Sequence, residues 1–119
     1  MFENIQKKTI KNSFYRTVLY TDANLQLVLM SINKNEDIPL EIHDDTTQFI
    51  KIEDGRGVAM VEISRTETEI YPLLKETILI IPKGKKHYIS NMDNKPLKLY
   101  SIYSPPEHKK NLVQKRQPT

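Results

Sequence analysis

The sequence predicts an all-β fold, a sandwich or barrel of antiparallel strands. Three observations carry this reading. Short runs of apolar, β-branched and aromatic residues recur along the chain. Turn-forming Asn, Asp, Pro and Gly separate them at near-regular spacing, and no segment sustains the apolar repeat of an amphipathic helix. A chain of 119 residues is long enough for one domain with a single core. It divides into an N-terminal arm (1–12), a β-barrel (13–104) and a tail (105–119).

The arm is polar, with isolated Phe2, Ile5 and Ile10, and reads as a short docking turn without a helix. Residues 14–20 are rich in aromatic and β-branched types and form the first strand. Residues 25–32 are almost wholly apolar, as expected of a strand buried on both faces. A strand over 39–43 starts at Pro39, a position that tolerates the missing N–H. In 48–53 the alternation is clean, with Gln48, Ile50 and Ile52 on one face and Phe49, Lys51 and Glu53 on the other. Asp54-Gly55 turns the chain into a strand over 58–63, where Met60 is expected to line the interior beside Met30. A short return strand, 68–71, is closed by Pro72. Strands over 77–81, 86–91 and 97–103 complete the set, and in 86–91 His87, Ile89 and Asn91 share a face. From Pro105 the chain is proline-rich, basic and polar, and is expected to be poorly ordered past about residue 110.

Two stretches carry chemistry. In Pro39-Leu40-Glu41-Ile42-His43, a carboxylate and an imidazole two residues apart point to one face of a strand while Ile42 points to the other. Gln48 follows after four residues and Gly55 after six more, with Asn35 five residues before Glu41. Downstream, Glu76 is followed by five residues, Pro82-Lys83-Gly84, two residues, His87, three residues and Asn91.

These spacings resemble the two motifs of the cupin superfamily. The first runs Gly, five residues, His-x-His, three or four residues, Glu, six residues, Gly; the second runs Gly, five residues, Pro-x-Gly, two residues, His, three residues, Asn. The likeness covers nearly the full chain. It extends to segments 14–20, 25–31 and 99–108, which look like a subgroup often labelled mannose-6-phosphate isomerase-related. The resemblance implies a cupin double-stranded β-helix, a jelly-roll-like barrel, with an N-terminal arm and a polar C-terminal tail. It also implies a metal centre, whose four ligand positions fall on Glu41, His43, Gln48 and His87. Glu41 stands where the family has histidine and Gln48 where it has glutamate. Two imidazoles, one carboxylate and one amide oxygen suit a divalent transition metal such as Fe, Mn, Ni or Zn. Asn35 replaces the first motif glycine, and asparagine tolerates the left-handed backbone that position requires. The competing reading is a retired site, in which the same four side chains form a hydrogen-bonded polar network.

Function divides along the same line. As an enzyme, the protein would use its metal to polarise a small polar molecule, such as a sugar or sugar phosphate, in isomerase-, epimerase- or oxygenase-type chemistry. Glu41 and His87 would be the catalytic residues, and Lys83, Lys85 and Lys86 are candidates for a phosphate. As a binding module, it would hold a small-molecule ligand without turnover. His108 reads as an exposed tail histidine; the alternative is a tail folded back across the barrel mouth, bringing Glu107 or His108 to the pocket. Phe49 belongs either at the site's edge or in the outer layer. Tyr88, Tyr100 and Tyr103 read as packing residues with a polar tip.

The composition narrows the remaining classes. With no cysteine, disulfides and thiolate ligands are excluded. The net charge is only +3 and the lysines are dispersed, so a nucleic-acid partner is not predicted. No apolar run reaches membrane-spanning length, and Met1 to Lys8 have no apolar core, so the expected location is cytoplasmic. A homodimer is expected, because segment 14–20 would otherwise leave an apolar edge strand open.

Overall fold

The computed structural model describes residues 1–119. In chain order the elements are α1 (Ile5–Lys11), β1 (Arg16–Thr21), β2 (Gln26–Ile32), β3 (Asp37–Glu41), β4 (Thr47–Asp54), β5 (Gly57–Glu62), β6 (Thr68–Leu73), β7 (Ile78–Ile81), β8 (His87–Asn91), β9 (Leu97–Ser104) and β10 (Val113–Gln114). The strands form two antiparallel sheets, ordered β10-β1-β2-β9-β4-β7 and β3-β8-β5-β6. Packed face to face, they make the jelly-roll sandwich that the sequence predicts.

The core is the set of inward positions of both sheets. Val28, Met30 and Ile32 of β2 lie with Ile50 and Ile52 of β4 and Leu97 and Leu99 of β9, and Ile38, Ala59 and Ile89 come from the other sheet. The alternation read in 48–53 holds through Ile52, with Gln48, Ile50 and Ile52 inward, but Glu53, expected with Phe49 and Lys51, is buried where the pairing with β9 shifts register. Met30 joins the inward set, but Met60 does not. Its neighbours Ala59 and Val61 take the inner face of β5, so strand geometry turns Met60 outward, 40% exposed. Phe49 also faces out, its ring centroid 6.2 Å from that of Tyr100.

Both ends of the chain differ from the sequence reading. The arm contains a helix. Asn4 caps it, its Oδ1 accepting from the Lys7 N–H, and Thr9 is buried beneath it. The seven residues carry too little apolar periodicity to announce themselves; docking on the outside of the first sheet makes them helical. The tail, expected to be poorly ordered, returns along the barrel. Its strand β10 pairs with β1, matching Thr17 with Val113 and Arg16 with Gln114. The edge expected to be open at residues 14–20 is therefore covered by the chain itself over residues 15–18. Pro72 does not close β6 either. It pairs opposite Val58 on a strand at the edge of its sheet, where no donor is needed on the outer side.

Two turns keep the backbone that the motif glycines normally supply. Asn35 has φ 71° and Glu76 has φ 69°, both left-handed without glycine. Gly55, at φ 84°, is irreplaceable for a second reason. A Cβ there would lie 2.5 Å from the Pro96 carbonyl oxygen.

Candidate metal centre

β3 and β8 place the first two members of the centre. Glu41 sits directly opposite His87 in the antiparallel register, so their side chains leave the sheet on one face. The register shifts between Ile38 and Glu41, an irregularity that follows Pro39 and re-aims the end of the strand. β3 stops at Glu41, so His43 lies in the loop beyond it. The alternation nevertheless continues, with Ile42 43% exposed and His43 buried. The Gly84 N–H donates to the His43 carbonyl at 2.7 Å, tying the Pro-x-Gly turn to this histidine's backbone.

The three side chains meet at one point. Nε2 of His43 is 3.2 Å and Nε2 of His87 is 3.0 Å from the same Oε1 of Glu41. One ligand atom from each residue lies within 4.8 Å of the other two. The opposite ring nitrogens are already committed. His87 Nδ1 is 3.0 Å from the Lys85 carbonyl, which can only accept, so this nitrogen carries the proton and donates. His43 Nδ1 lies 2.5 Å from Oε1 of Glu107, again an acceptor for its proton. Both Nε2 lone pairs are therefore free to face a cation beside the Glu41 carboxylate. Binding a histidine by one nitrogen while a carboxylate or carbonyl holds the other is how proteins orient metal ligands. Without a cation, each Nε2 contact to Glu41 needs an additional proton on the ring.

The electrostatics agree with a cation-seeking site. Burial would raise the Glu41 carboxyl, but hydrogen bonds from His43 and His87, with their charge, outweigh it and hold it at about 2. Burial would lower His43. The Glu41 hydrogen bond and the charges of Glu41 and Glu107 prevail and raise it. A divalent ion would take the place of the protons that these contacts now attract.

Gln48, the fourth expected ligand, is sealed at 1% exposure. Its Nε2 donates to Ser101 Oγ and Tyr103 Oη, both at 3.1 Å, while its Oε1 has no protein partner. The amide nitrogen is thus spent and the amide oxygen is unspent. Tyr103 packs edge-on to His43 with ring centroids 5.6 Å apart, so Gln48 lies one side chain from the centre.

The tail supplies what the exposed-histidine reading missed. Gln26, fully buried on β2, accepts from the N–H groups of Glu107 and His108 and donates to the His108 carbonyl. Thr46 Oγ1 donates to the Pro105 carbonyl. These bonds bring Glu107 onto His43 and turn the His108 ring inward, edge-on to Tyr103 at 5.0 Å. A lone amide in the apolar run 25–32 was the sequence signal for this clasp. Lys85, one of the lysines read as a phosphate candidate, donates from Nζ to the Ile63 carbonyl at 3.0 Å. A polar hollow of about 480 Å³ lined by Lys34, Asp37, Arg56, Ser90 and Asp93 opens elsewhere on the surface and brings no histidine together with a carboxylate.

Fold and centre together define a β-sandwich that carries a mixed nitrogen and oxygen donor set inside. Residues 28–103 match the family model described as the cupin domain, and the chain belongs to the cupin family. Two uncharacterized proteins are similar to it in sequence. YrkC of Bacillus subtilis (strain 168) is 41% identical over 106 residues, covering 88% of this chain and 57% of its own length. Protein L612 of Acanthamoeba polyphaga mimivirus is 40% identical over 116 residues, covering 97% of this chain and 71% of that protein. The chain therefore spans little more than half of the YrkC length. Among solved structures, BH2720 from Bacillus halodurans superposes with a TM-score of 0.90 at 38% identity, covering 98% of this chain and 89% of that one. An oxalate decarboxylase from Bacillus subtilis shares the fold, at TM-score 0.67 and 16% identity, over 72% of this chain and 23% of that one. No helix is long and apolar enough to cross a membrane.

Proposed function

We propose that Glu41, His43 and His87 hold one divalent transition-metal ion and that the protein acts through it on a small polar molecule. The observation that carries this is the convergence of two Nε2 atoms and one carboxylate oxygen, with both Nδ1 atoms already tied down. Two imidazoles and a carboxylate, with positions left open, suit Fe, Mn, Ni or Zn. Such an ion, when bound, supplies Lewis-acid polarisation of an oxygen-bearing ligand, or redox chemistry if it is iron. Gln48, the fourth donor expected from the sequence, stands behind Tyr103 with its amide oxygen unspent and supports the three without being counted among them.

The chain's own residues divide the remaining work. His87, 1% exposed, is held rigidly and serves to bind. The Glu41 side chain, 26% exposed, is the member of the three that a ligand reaches from solvent. Sugar isomerisation fits this chemistry. The phosphate end expected of the lysine cluster gains no support from Lys85.

Elemental analysis of untagged protein tests the reading. Near-stoichiometric metal in the wild type, absent from the His43→Ala/His87→Ala double variant, is the expected result. A wild type that takes up none of Fe, Mn, Ni or Zn on reconstitution would sink it.

A second reading, a non-catalytic ligand-binding cupin, is favoured by the tail lying over His43 and by the neutral Gln48. Ligand binding without turnover in the metal-loaded protein would select it; activity lost on His87→Ala would select the first.

A further inference from the structure

The outer face of the smaller sheet carries large apolar side chains and no covering element. Ile70 of β6, Met60 of β5 and Tyr88 of β8 stand opposite one another across the strands, and Leu40 of β3 continues the row. Leu40 is 67%, Ile70 64% and Met60 40% exposed. In the next row Glu62 lies beside Lys86, the Glu62 N–H donating to the Lys86 carbonyl. Neither of these two side chains is in an ion pair within one copy of the chain. Leu40, Met60, Tyr88, Glu62, Lys86 and Thr68 line one hollow of about 370 Å³. A contiguous exposed apolar stripe of this kind marks a contact surface. The edge of β1, where the sequence placed a dimer contact, is taken by β10 and offers no ladder to a second copy.

We propose that this face packs against the same face of a second copy of the chain. Its pattern is self-complementary. A two-fold axis parallel to the strands and midway between β5 and β8 exchanges β5 with β8 and β6 with β3. Met60 then meets the partner's Tyr88, a favourable contact of a thioether with an aromatic ring. Ile70 meets the partner's Leu40. Glu62 meets the partner's Lys86 and, by symmetry, Lys86 meets the partner's Glu62, so the unpaired charges of each copy find counter-charges on the other. Charge also selects the axis. A two-fold along β5 would set Glu62 against itself, and one along β8 would set Lys86 against itself, both repulsive.

The two sheets would stack as aligned sheets do, roughly 10 Å apart. Four strands of this length give a face roughly 20 Å on a side, which belongs at the small end of specific interfaces. The pair should therefore dissociate on dilution. Leu40 and Tyr88 are the chain neighbours of Glu41 and His87 but point to the opposite side of the sheet, so the surface stands independently of the metal centre.

Sedimentation equilibrium over a wide concentration series tests this, with thermal melts and elemental analysis in parallel. The wild type should form a reversible dimer. Met60→Glu should be monomeric where the wild type is paired, and Lys86→Glu, which sets carboxylates against each other, should weaken pairing about tenfold or more. The double reversal Glu62→Lys/Lys86→Glu should restore it. Metal content should not change in any of them. Ile80→Glu, at a position 55% exposed on the outer face of the other sheet, should leave the dimer intact. A wild type that stays monomeric at millimolar concentration overturns the surface. So does a dimer that survives Met60→Glu, a double reversal no better than Lys86→Glu alone, or a dimer lost in Ile80→Glu.

Discussion

The Glu107 carboxylate, carried by the C-terminal tail, lies 2.5 Å from Nδ1 of His43, sixty-four positions earlier in the chain. That contact fixes the tautomer that turns His43 Nε2 toward Glu41. Glu107→Gln keeps the size and removes the charge, and an amide can present its nitrogen to the ring as easily as its oxygen. Metal affinity should fall about 10- to 100-fold, the usual cost of losing an outer carboxylate. Competition with a chelating dye reads this directly, and unchanged affinity would mean that Glu107 does not orient the ligand.

Gln48→Glu restores the charge that the family motif carries. Ser101 and Tyr103 can rotate their hydroxyls to donate to the new carboxylate, so the substitution is sterically conservative. Metal affinity should rise. The metal-free protein should lose on the order of 1–3 kcal/mol, since a carboxylate is then buried without its cation. Urea melts with and without metal separate the two effects, which should have opposite signs.

His108 makes stability depend on pH. Burial, and next the charge of Arg16 on β1, push its imidazole down to about 4; His43 adds to this and Glu41 on β3 opposes it. The Tyr103 ring of β9 covers it as an uncharged phenol. The unfolded chain, with an ordinary histidine value near 6.5, binds the proton more readily. Stability from this group is therefore present above pH of about 6.5 and is lost as pH falls from there through about 4. His43, raised by its partners, contributes stability below about 6.5 that is lost as pH rises above it. Glu41, held at about 2, loses its contribution only below the ordinary carboxyl range. Between about pH 6.5 and 4.5 the slope in metal-free protein should thus shrink in His108→Phe, a change that urea melts across that window measure.

Two left-handed glycines should answer differently to alanine. Gly55→Ala brings a Cβ within 2.5 Å of the Pro96 carbonyl oxygen and 2.9 Å of Leu97 Cα, in addition to its φ of 84°. Its cost should be about 2–4 kcal/mol. Gly84 has a φ of 80° with nothing near the added carbon, and the backbone term alone, about 1–2 kcal/mol, should remain. Equal losses in denaturant melts would show that the Pro96 contact is relieved at no cost.

The sequence by itself determined most of the strands, the inward face of β4 and three of the residues that converge; it did not show β10 or the outward turn of Met60. Alternation is a local property: once Ile50 and Ile52 must be buried, Gln48 is buried with them, and Ile42 facing out leaves Glu41 and His43 facing in. Motif spacing then set His87 against them, as the pairing of Glu41 with His87 shows. The ends of the chain were illegible for the opposite reason. The short helix α1 is stabilised by the sheet it covers, and the tail by Gln26, Thr46 and β1, none of which is near it in sequence. Only tertiary structure could decide that Glu107 orients His43, that the His108 ring turns in against Tyr103, and that Arg16 is buried without a carboxylate. Each depends on which distant side chains remain unpaired once the barrel has closed, and no local pattern records that.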